Sequence, residues 1–583
     1  MLLQRNPPFL RSIPPNTPHS LINSLPTWQD NVNRGMGRVS VGEVYLMETS
    51  YPRFAIHPFV RPVIEIVLES LKISPEQTCF LFPSLRIARA FRSHMHLQLP
   101  SSFPEDGEIH SVSEILSAPP GRTIFAVLFH LDQKSLAMNF WIFSGNGISS
   151  RLAENCLCRR NGQMEMTLGL PTEPDHEYAS YYSSHSALTS VSEAKERIKT
   201  RFAGISADGS NIRGVEGLST SDVYLYSTGM SAIWHVHQML HDVFGGKFDD
   251  HGRPFIGAHV NMLYVDSYRL LEATSSKYHF FTNDTLDDLE HLLNGSASSD
   301  TAVLAIFTDF PGNPNLKSAD LPRLRMLADK YHIPIIIDET VGCHLNVAVL
   351  PYADIVVASL TKVFSGFANV LGGALLLNPS SEFYARFKAH FNENYEDDYF
   401  DADALVMELN SRRLEARVAR TNENAEALAD WLFLRSKAGG MKETVIEEVF
   451  YPKYQSRENY ERCMRPMRPR IITAASDSGS DSNILDQVSD FQPGYGGLVS
   501  FSFTSLEAAK TFHDSIQCYK GTTLGTNVTL LSPFNALAFP PEKGDRAPEH
   551  DVKDSLVRFG VGVEDISRIL NSVEAGLFAA GKC

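Results

Sequence analysis

Cysteine is scarce, with seven in 583 residues. Cys156 and Cys158 form a lone Cys-x-Cys with no second pair at metal-ligand spacing, so neither a metal site nor a disulfide framework is expected. All seven read as reduced thiols of a reducing compartment. No apolar run approaches membrane-spanning length. Pro7 and Pro8 interrupt the N-terminus before a signal-peptide core can form. Arg5 and Arg11, with no acid before Asp30, leave a weak organelle-targeting signal as the alternative to the expected cytoplasmic location. Positive charge is in deficit: 52 Lys and Arg against 68 Asp and Glu give a net charge of -16. That balance argues against nucleic acid and anionic membranes as partners, but not against a local positive pocket for a small anion. A dinucleotide fingerprint is missing too, because Gly560-Val561-Gly562 lacks the third glycine and a following βαβ unit.

What is present reads as a soluble globular enzyme, with 43% hydrophobic and 21% charged residues. The length is too great for a single core. Residues 1–30 carry Pro7, Pro8, Pro14, Pro15, Pro18 and Pro26 and are expected to be extended and mobile. An N-terminal α/β extension is drawn over 31–175, with strands at 79–82, 124–129 and 140–143 and a basic helix at 85–95. A large domain over 176–400 alternates strands (223–226, 303–307, 333–337, 353–358) with helices (232–243, 321–331). That alternation predicts a mostly parallel, doubly wound α/β sheet. The acidic stretch 392–401 reads as a solvated face or loop. A smaller C-terminal α+β domain over 401–583 holds a long helix at 414–434 and strands at 498–503 and 556–561. A disordered insertion is expected near 455–490, around the low-complexity run 473–483.

Four strand ends of the large domain carry Gly229, Asn313, Asp338 and Lys362, and these should converge on one crevice. Lys362 ends a β-branched apolar run; desolvation there lowers an amine's pKa and lets it form a Schiff base with an aldehyde. Asp338 follows a run of isoleucines and should be buried. Ser227-Thr228-Gly229-Met230-Ser231 joins a strand to a helix, a turn that can cradle phosphate. Arg558 inside an apolar strand calls for an anion, and its fork suits a carboxylate. Two readings are set aside. Ser359-x-x-Lys362 as a serine-hydrolase pair should open a helix rather than follow a strand. His237 and His241, spaced i, i+4, lack the third ligand of a metal site.

An amine, a strand-end carboxylate, a phosphate turn and an arginine are the parts that pyridoxal phosphate needs. The sequence resembles the Cys/Met-metabolism family of pyridoxal-phosphate enzymes, most closely the fungal-type cystathionine γ-synthases, from about Tyr178 to the C-terminus. Leu25-Pro26-Thr27-Trp28, Tyr51-Pro52-Arg53-Phe54 and Gly147-Ile148-Ser149-Ser150-Arg151 resemble the fungal-type extension. The resemblance implies fold type I, with Ser359-Leu360-Thr361-Lys362 supplying the Schiff-base lysine and Ser359 and Thr361 as phosphate ligands. Asp338-Glu339-Thr340 matches Asp-Asn-Thr, with Asp338 on the pyridinium nitrogen and Thr340 beside the cofactor. Gly229 and Met230 give phosphate N–H donors. Tyr264 stacks on the ring and assists proton transfer, and Asn313 neighbours the ring hydroxyl. Arg558 and Thr523 face the substrate.

The sequence also departs from the family. The Tyr-x-Arg that reaches a neighbouring subunit's phosphate falls in register on Tyr182-Ser183-Ser184-His185, without the arginine, whereas Tyr51-Pro52-Arg53 has the letters far upstream. Phe367-Ala368 replaces a polar pair and is expected to make the rim apolar. The function implied is γ-replacement on an O-acyl-L-homoserine, joining a sulfur or carbon nucleophile to Cγ, in the manner of cystathionine γ-synthase-like enzymes of specialised metabolism. Alternatives are a true cystathionine γ-synthase, a γ-lyase, and a pseudoenzyme whose N-terminal domain binds a partner. A dimer or tetramer with shared active sites is also implied.

Overall fold

The computed structural model describes the chain except residues 1, 39–46, 101–102, 104–107, 172–180, 183–187, 245–255, 297–302, 467–490, 541–551 and 582–583. Near the N-terminus, β1 (Gln77–Phe82), β2 (Ile109–Ser111) and β3 (Phe125–His130) pair antiparallel in the order β1-β3-β2. The strand expected at 140–143 is instead part of the helix Lys134–Ser144. Its buried residues Ala137, Phe140, Trp141 and Ser144 fall at helical rather than strand spacing, with Phe140 and Trp141 packed against Phe80, Phe91 and Trp234. One face of this small sheet therefore shares a core with the helix Gly229–Phe244 of the large domain.

The large sheet comprises β4 (Val223–Tyr226), β5 (Ile256–Val260), β6 (Lys277–Phe281), β7 (Val303–Asp309), β8 (Ile335–Asp338), β9 (Ile355–Ser359) and β10 (Gly373–Leu377). Their order is β4-β10-β9-β8-β7-β5-β6. Every pairing from β9 to β6 is parallel, and β10 runs antiparallel to both β9 and β4. Strand alternation sorts β4 cleanly: Val223 and Leu225 enter the core on one face, Tyr224 and Tyr226 that on the other. The acidic stretch is not simply solvated. Asp397 pairs with Lys195 and Asp401 with Arg122, while burial pushes the Asp398 carboxyl up to about 7.

The third sheet, of β11 (Ile446–Phe450), β12 (Leu498–Phe503), β13 (Tyr519–Lys520), β14 (Leu530–Ser532) and β15 (Leu556–Gly560), has the order β11-β12-β15-β14-β13. The helix Asp401–Ser411 packs into the large domain's core, and the helix Leu414–Phe433 passes from that core into the core of this sheet. Part of the stretch expected to be disordered forms the helix Arg457–Cys463, which buries Tyr460 and Cys463; the run 473–483 lies outside the described residues. Among the described residues no helix is long and apolar enough to cross a membrane, no acid, His or Cys cluster could hold a metal, and the six cysteines are free.

The proline-rich N-terminus is extended, as composition suggests, but it is not mobile. Leu3, Leu10, Ile13, Leu21, Ile22 and Leu25 are all buried. The Leu21 N–H donates to the Ala368 carbonyl at 2.7 Å and the Leu25 N–H to the Lys520 carbonyl at 3.1 Å. The Leu3 N–H donates to Ser572 Oγ at 2.8 Å, and Arg568 holds the Leu2 carbonyl, both on the last helix, Ile566–Ala580. Prolines remove donors but leave the apolar residues between them free to pack, so the segment is a strap packed onto both the large and the C-terminal domain.

Candidate active site

β4, β7, β8 and β9 all point the same way, so their carboxyl ends open together. One cavity there is lined by Gly229 and Met230 after β4, Asn313 after β7, Asp338 and Thr340 at the end of β8, and Ser359 and Lys362 at the end of β9. Tyr264, which precedes the helix Val265–Thr274, and Thr523 and Arg558 of the small domain complete that set. A Cβ at Gly229 would sit 2.7 Å from Ser359 Cβ, so glycine alone lets the helix Gly229–Phe244 begin against the strand end. The N–H groups of its first turn, Gly229 and Met230 among them, have no partner within the helix and face a natural anion position. Thr361 is the exception among the expected residues: its hydroxyl donates to the Gly372 carbonyl at 3.2 Å, one layer behind the cavity.

Lys362 Nζ donates to Thr523 Oγ1 at 2.6 Å. Burial, then the charges of Arg53 and Arg558, lower its pKa to about 7, so a large share of the amine is free at neutral pH. Asp338 accepts from the Thr340 N–H at 2.8 Å, yet burial still holds its pKa above the carboxylate range. No cation pairs with it among the described residues. Its neighbour Glu339, by contrast, is gripped by both oxygens at 2.6 and 2.7 Å by the buried Arg213, although burial still outweighs that pairing and raises its pKa. Asp309, at the matching end of β7, accepts from the Tyr264 N–H at 2.7 Å; burial and then the Asp338 charge raise its pKa. Arg558 donates to Asn313 Oδ1 at 3.0 Å and pairs with no carboxylate among the described residues. Burial lowers its pKa to about 10.

The cavity therefore offers a nucleophilic amine, a buried carboxylate in need of a cation, a helix N-terminus in need of an anion, and a guanidinium in need of a carboxylate. Pyridoxal phosphate, the cofactor the resemblance implies, fits the first three through its aldehyde, ring nitrogen and phosphate, and leaves Arg558 for a substrate.

Of the two Tyr-x-Arg candidates the structure brings the upstream one, Tyr51-Pro52-Arg53, to the cavity, and it adds residues that the sequence reading did not place there, Phe54, Ile233, Asp309 and Leu524. Arg53 Nη1 donates to the Ile142 carbonyl at 2.5 Å and to Asp266 Oδ2 at 2.7 Å, and its Nη2 donates to the Tyr264 hydroxyl. The Tyr264 hydroxyl in turn donates to Asp266 at 3.0 Å, and burial keeps it a phenol. The Tyr-x-Arg spelling was the signal that named the upstream segment as a candidate beside Tyr182, and only the fold chooses between the two. Tyr182 does not reach the cavity: its hydroxyl donates to Asn410 Oδ1 at 2.9 Å and accepts from Asn369 at 2.7 Å. Phe367 and Ala368 do not form the rim either. They are buried under Tyr181, Tyr182 and the N-terminal strap, and the apolar rim comes from Phe54, Ile233, Val341 and Leu524.

Comparison with known proteins gives the following. The model of the Cys/Met metabolism PLP-dependent enzymes matches residues 209–489, and that of the fungal trans-sulfuration enzyme N-terminal domain matches residues 59–149. A cystathionine gamma-synthase-like enzyme, iboG1, of Amanita muscaria is 36% identical over 99% of this chain and 98% of its own. A cystathionine gamma-synthase of Neurospora crassa is 32% identical over 97% of each chain. Among solved structures, cystathionine gamma-lyase from yeast superposes with a TM-score of 0.50 at 21% identity, covering 70% of this chain and 90% of that one, a likeness of fold.

Proposed function

From the premise that this chain belongs to the Cys/Met metabolism PLP-dependent enzyme family, we propose that it catalyses γ-replacement on an O-acyl-L-homoserine, joining a sulfur or carbon nucleophile to Cγ. The observation that carries the reading is the placement of Lys362 in the cavity that Arg558 enters from the small domain. When bound, the cofactor supplies an aldehyde that captures the substrate amine and a conjugated ring that takes up negative charge from the adjoining carbon.

The chain's own residues do the rest. Arg558 receives the α-carboxylate in its fork and so fixes which way the substrate lies. Lys362, with a pKa of about 7, removes the Cα proton and then handles the Cβ proton, because its Nζ is both free and poised at working pH. Thr523 holds that Nζ in its resting position. Asp338 would hold the ring nitrogen in its protonated form, which keeps the ring electron-withdrawing, while Ser359 and the Gly229 and Met230 N–H groups would hold the phosphate. The Tyr264 ring walls the cavity; its hydroxyl, committed to Arg53 and Asp266, acts as a fixed phenol. The apolar rim of Phe54, Ile233 and Leu524 excludes water, which favours an added nucleophile over hydrolysis.

A homo-oligomer working in the cytoplasm is part of this reading, by analogy with the family. Incubating the purified enzyme with O-acetylhomoserine and cysteine, simple thiols or β-keto compounds tests it. A γ-substituted amino acid supports it, and the pattern of acceptors separates a cystathionine synthase from a specialised enzyme. Formation of 2-oxobutanoate and ammonia alone, whatever the acceptor, replaces it with a γ-lyase.

A further inference from the structure

We propose that Asp309 is a further positioning residue of this site: it shares a single proton with Asp338, so that the wall facing the ring nitrogen carries one negative charge and not two. What the pair faces rests on the family's cofactor. The shared proton does not, and it is tested on the cofactor-free protein.

The backbone sets the two acids side by side. Asp309 ends β7 and Asp338 ends β8, and they are directly paired in the parallel register. The Phe310 N–H, next along from Asp309, donates to the Asp338 carbonyl at 2.8 Å and ties the two strand ends together where the acids project. Paired positions of neighbouring strands put their side chains on one face of a sheet. Both acids accordingly line the same cavity.

Neither acid has a cation among the described residues. Asp309, 6% exposed, accepts from the Tyr264 N–H at 2.7 Å, and Asp338 accepts from the Thr340 N–H at 2.8 Å. The other charged and titratable groups of the cavity are engaged elsewhere. Lys362 is held by Thr523, Arg558 by Asn313, and Arg53 by Asp266 and the Tyr264 hydroxyl. Glu339, next along from Asp338, is turned to Arg213. Burial keeps Tyr51 and Tyr264 neutral. Two like charges at neighbouring positions of an enclosed wall cannot both form, so one acid keeps its proton. Asp309 is the one that keeps it: burial and then the Asp338 charge raise its pKa well above the carboxylate range, whereas Asp338 rises only to about 6. A neutral Asp309 has an O–H to donate, and an ionised Asp338 has lone pairs to receive it. Asp309 therefore acts through Asp338, while the same side chain holds the backbone at Tyr264.

Substitution tests this without turnover. Infrared difference spectra of cofactor-free wild type and Asp309→Asn at pH 7 should show that the substitution removes the carbonyl stretch of a protonated acid. Loss of a carboxylate stretch instead overturns the proposal. Urea titrations add the pH dependence. The raised pKa means that the folded pair binds more protons than the unfolded chain, so its contribution to stability falls as pH rises from the ordinary aspartate range toward that pKa. The ratio of unfolding constants, wild type over Asp309→Asn, should grow about tenfold per pH unit between about pH 5 and 7; a ratio independent of pH overturns it. Asp309→Ser, which keeps an oxygen for the Tyr264 N–H, takes the place of Asp309→Asn if that variant does not fold. Sharing is read in a second background. With Asp338→Asn the neighbouring charge is gone, so Asp309 should lose its proton about one pH unit or more lower. An unmoved window would mean that burial alone holds the proton, and the shared pair is rejected.

Discussion

The cavity has two unlike walls. One is made by the strand ends of the large sheet, with Asp338, Ser359 and Lys362 projecting from regular, parallel-paired backbone. The other is made by Tyr51, Arg53 and Phe54, in irregular chain between the strap and the first small sheet. Backbone hydrogen bonds hold the first wall, whereas side chains hold the second, through Asp266 and Tyr264. The difference is one of support: the regular wall holds Asp338 and the strand leading to Lys362 by strand pairing, and the irregular wall holds Arg53 by side-chain and carbonyl contacts.

That division can be broken by experiment. The largest effect is expected for Lys362→Ala, which should lower kcat by roughly 10³-fold or more and abolish the Schiff-base absorbance. Arg53→Met, assayed at saturating cofactor, should keep kcat within about tenfold of wild type; if the two losses are alike, the walls do not differ in kind. Asp338→Asn should lower kcat by about 10²-fold, the usual effect of removing one preorganised charge, with the cofactor still bound.

A third measurement concerns stability. In the cofactor-free protein the Lys362 pKa falls from its ordinary 10.5 to about 7. Between these values the unfolded chain binds more protons than the folded one, so stability rises with pH across that window. The cofactor-free Lys362→Met variant should therefore be more stable than wild type by a few kcal/mol at or below pH 7, and the gap should close as the pH approaches 10.5 in urea titrations. A gap independent of pH would show that the amine is not held desolvated. The smallest effect is expected for Arg558→Lys, which keeps the charge but loses the fork. KM for the amino acid should rise about tenfold, with a lesser change in kcat.

The same contrast explains what could be read from the residues. Strand ends are legible because a β-branched run followed by a polar residue marks both the strand and the crevice, as at Ile335–Asp338 and Ile355–Ser359. Asn313, Asp338, Ser359 and Lys362 share the one cavity for that reason, whereas Tyr264, Thr523 and Arg558 reach it from a helix start and from the small domain. Thr361 faces Gly372 because consecutive residues beyond a strand turn to different sides. Asp309 was overlooked because it closes the same strand, β7, that leads to the more conspicuous Asn313. The N-terminal wall was legible only as one of two candidate spellings, because its neighbours are distant in sequence: no local pattern tells Arg53 that it will meet Asp266. The strap was misjudged for a related reason. Proline content reports missing donors, whereas packing depends on Ile13, Leu21 and Ile22 finding the far end of the chain.

That strap also sets an order of events. Leu3 is fastened to the helix Ile566–Ala580 and Leu25 to Lys520, so these contacts form only after the long stretch between them has been made, whereas Leu21 meets Ala368 sooner.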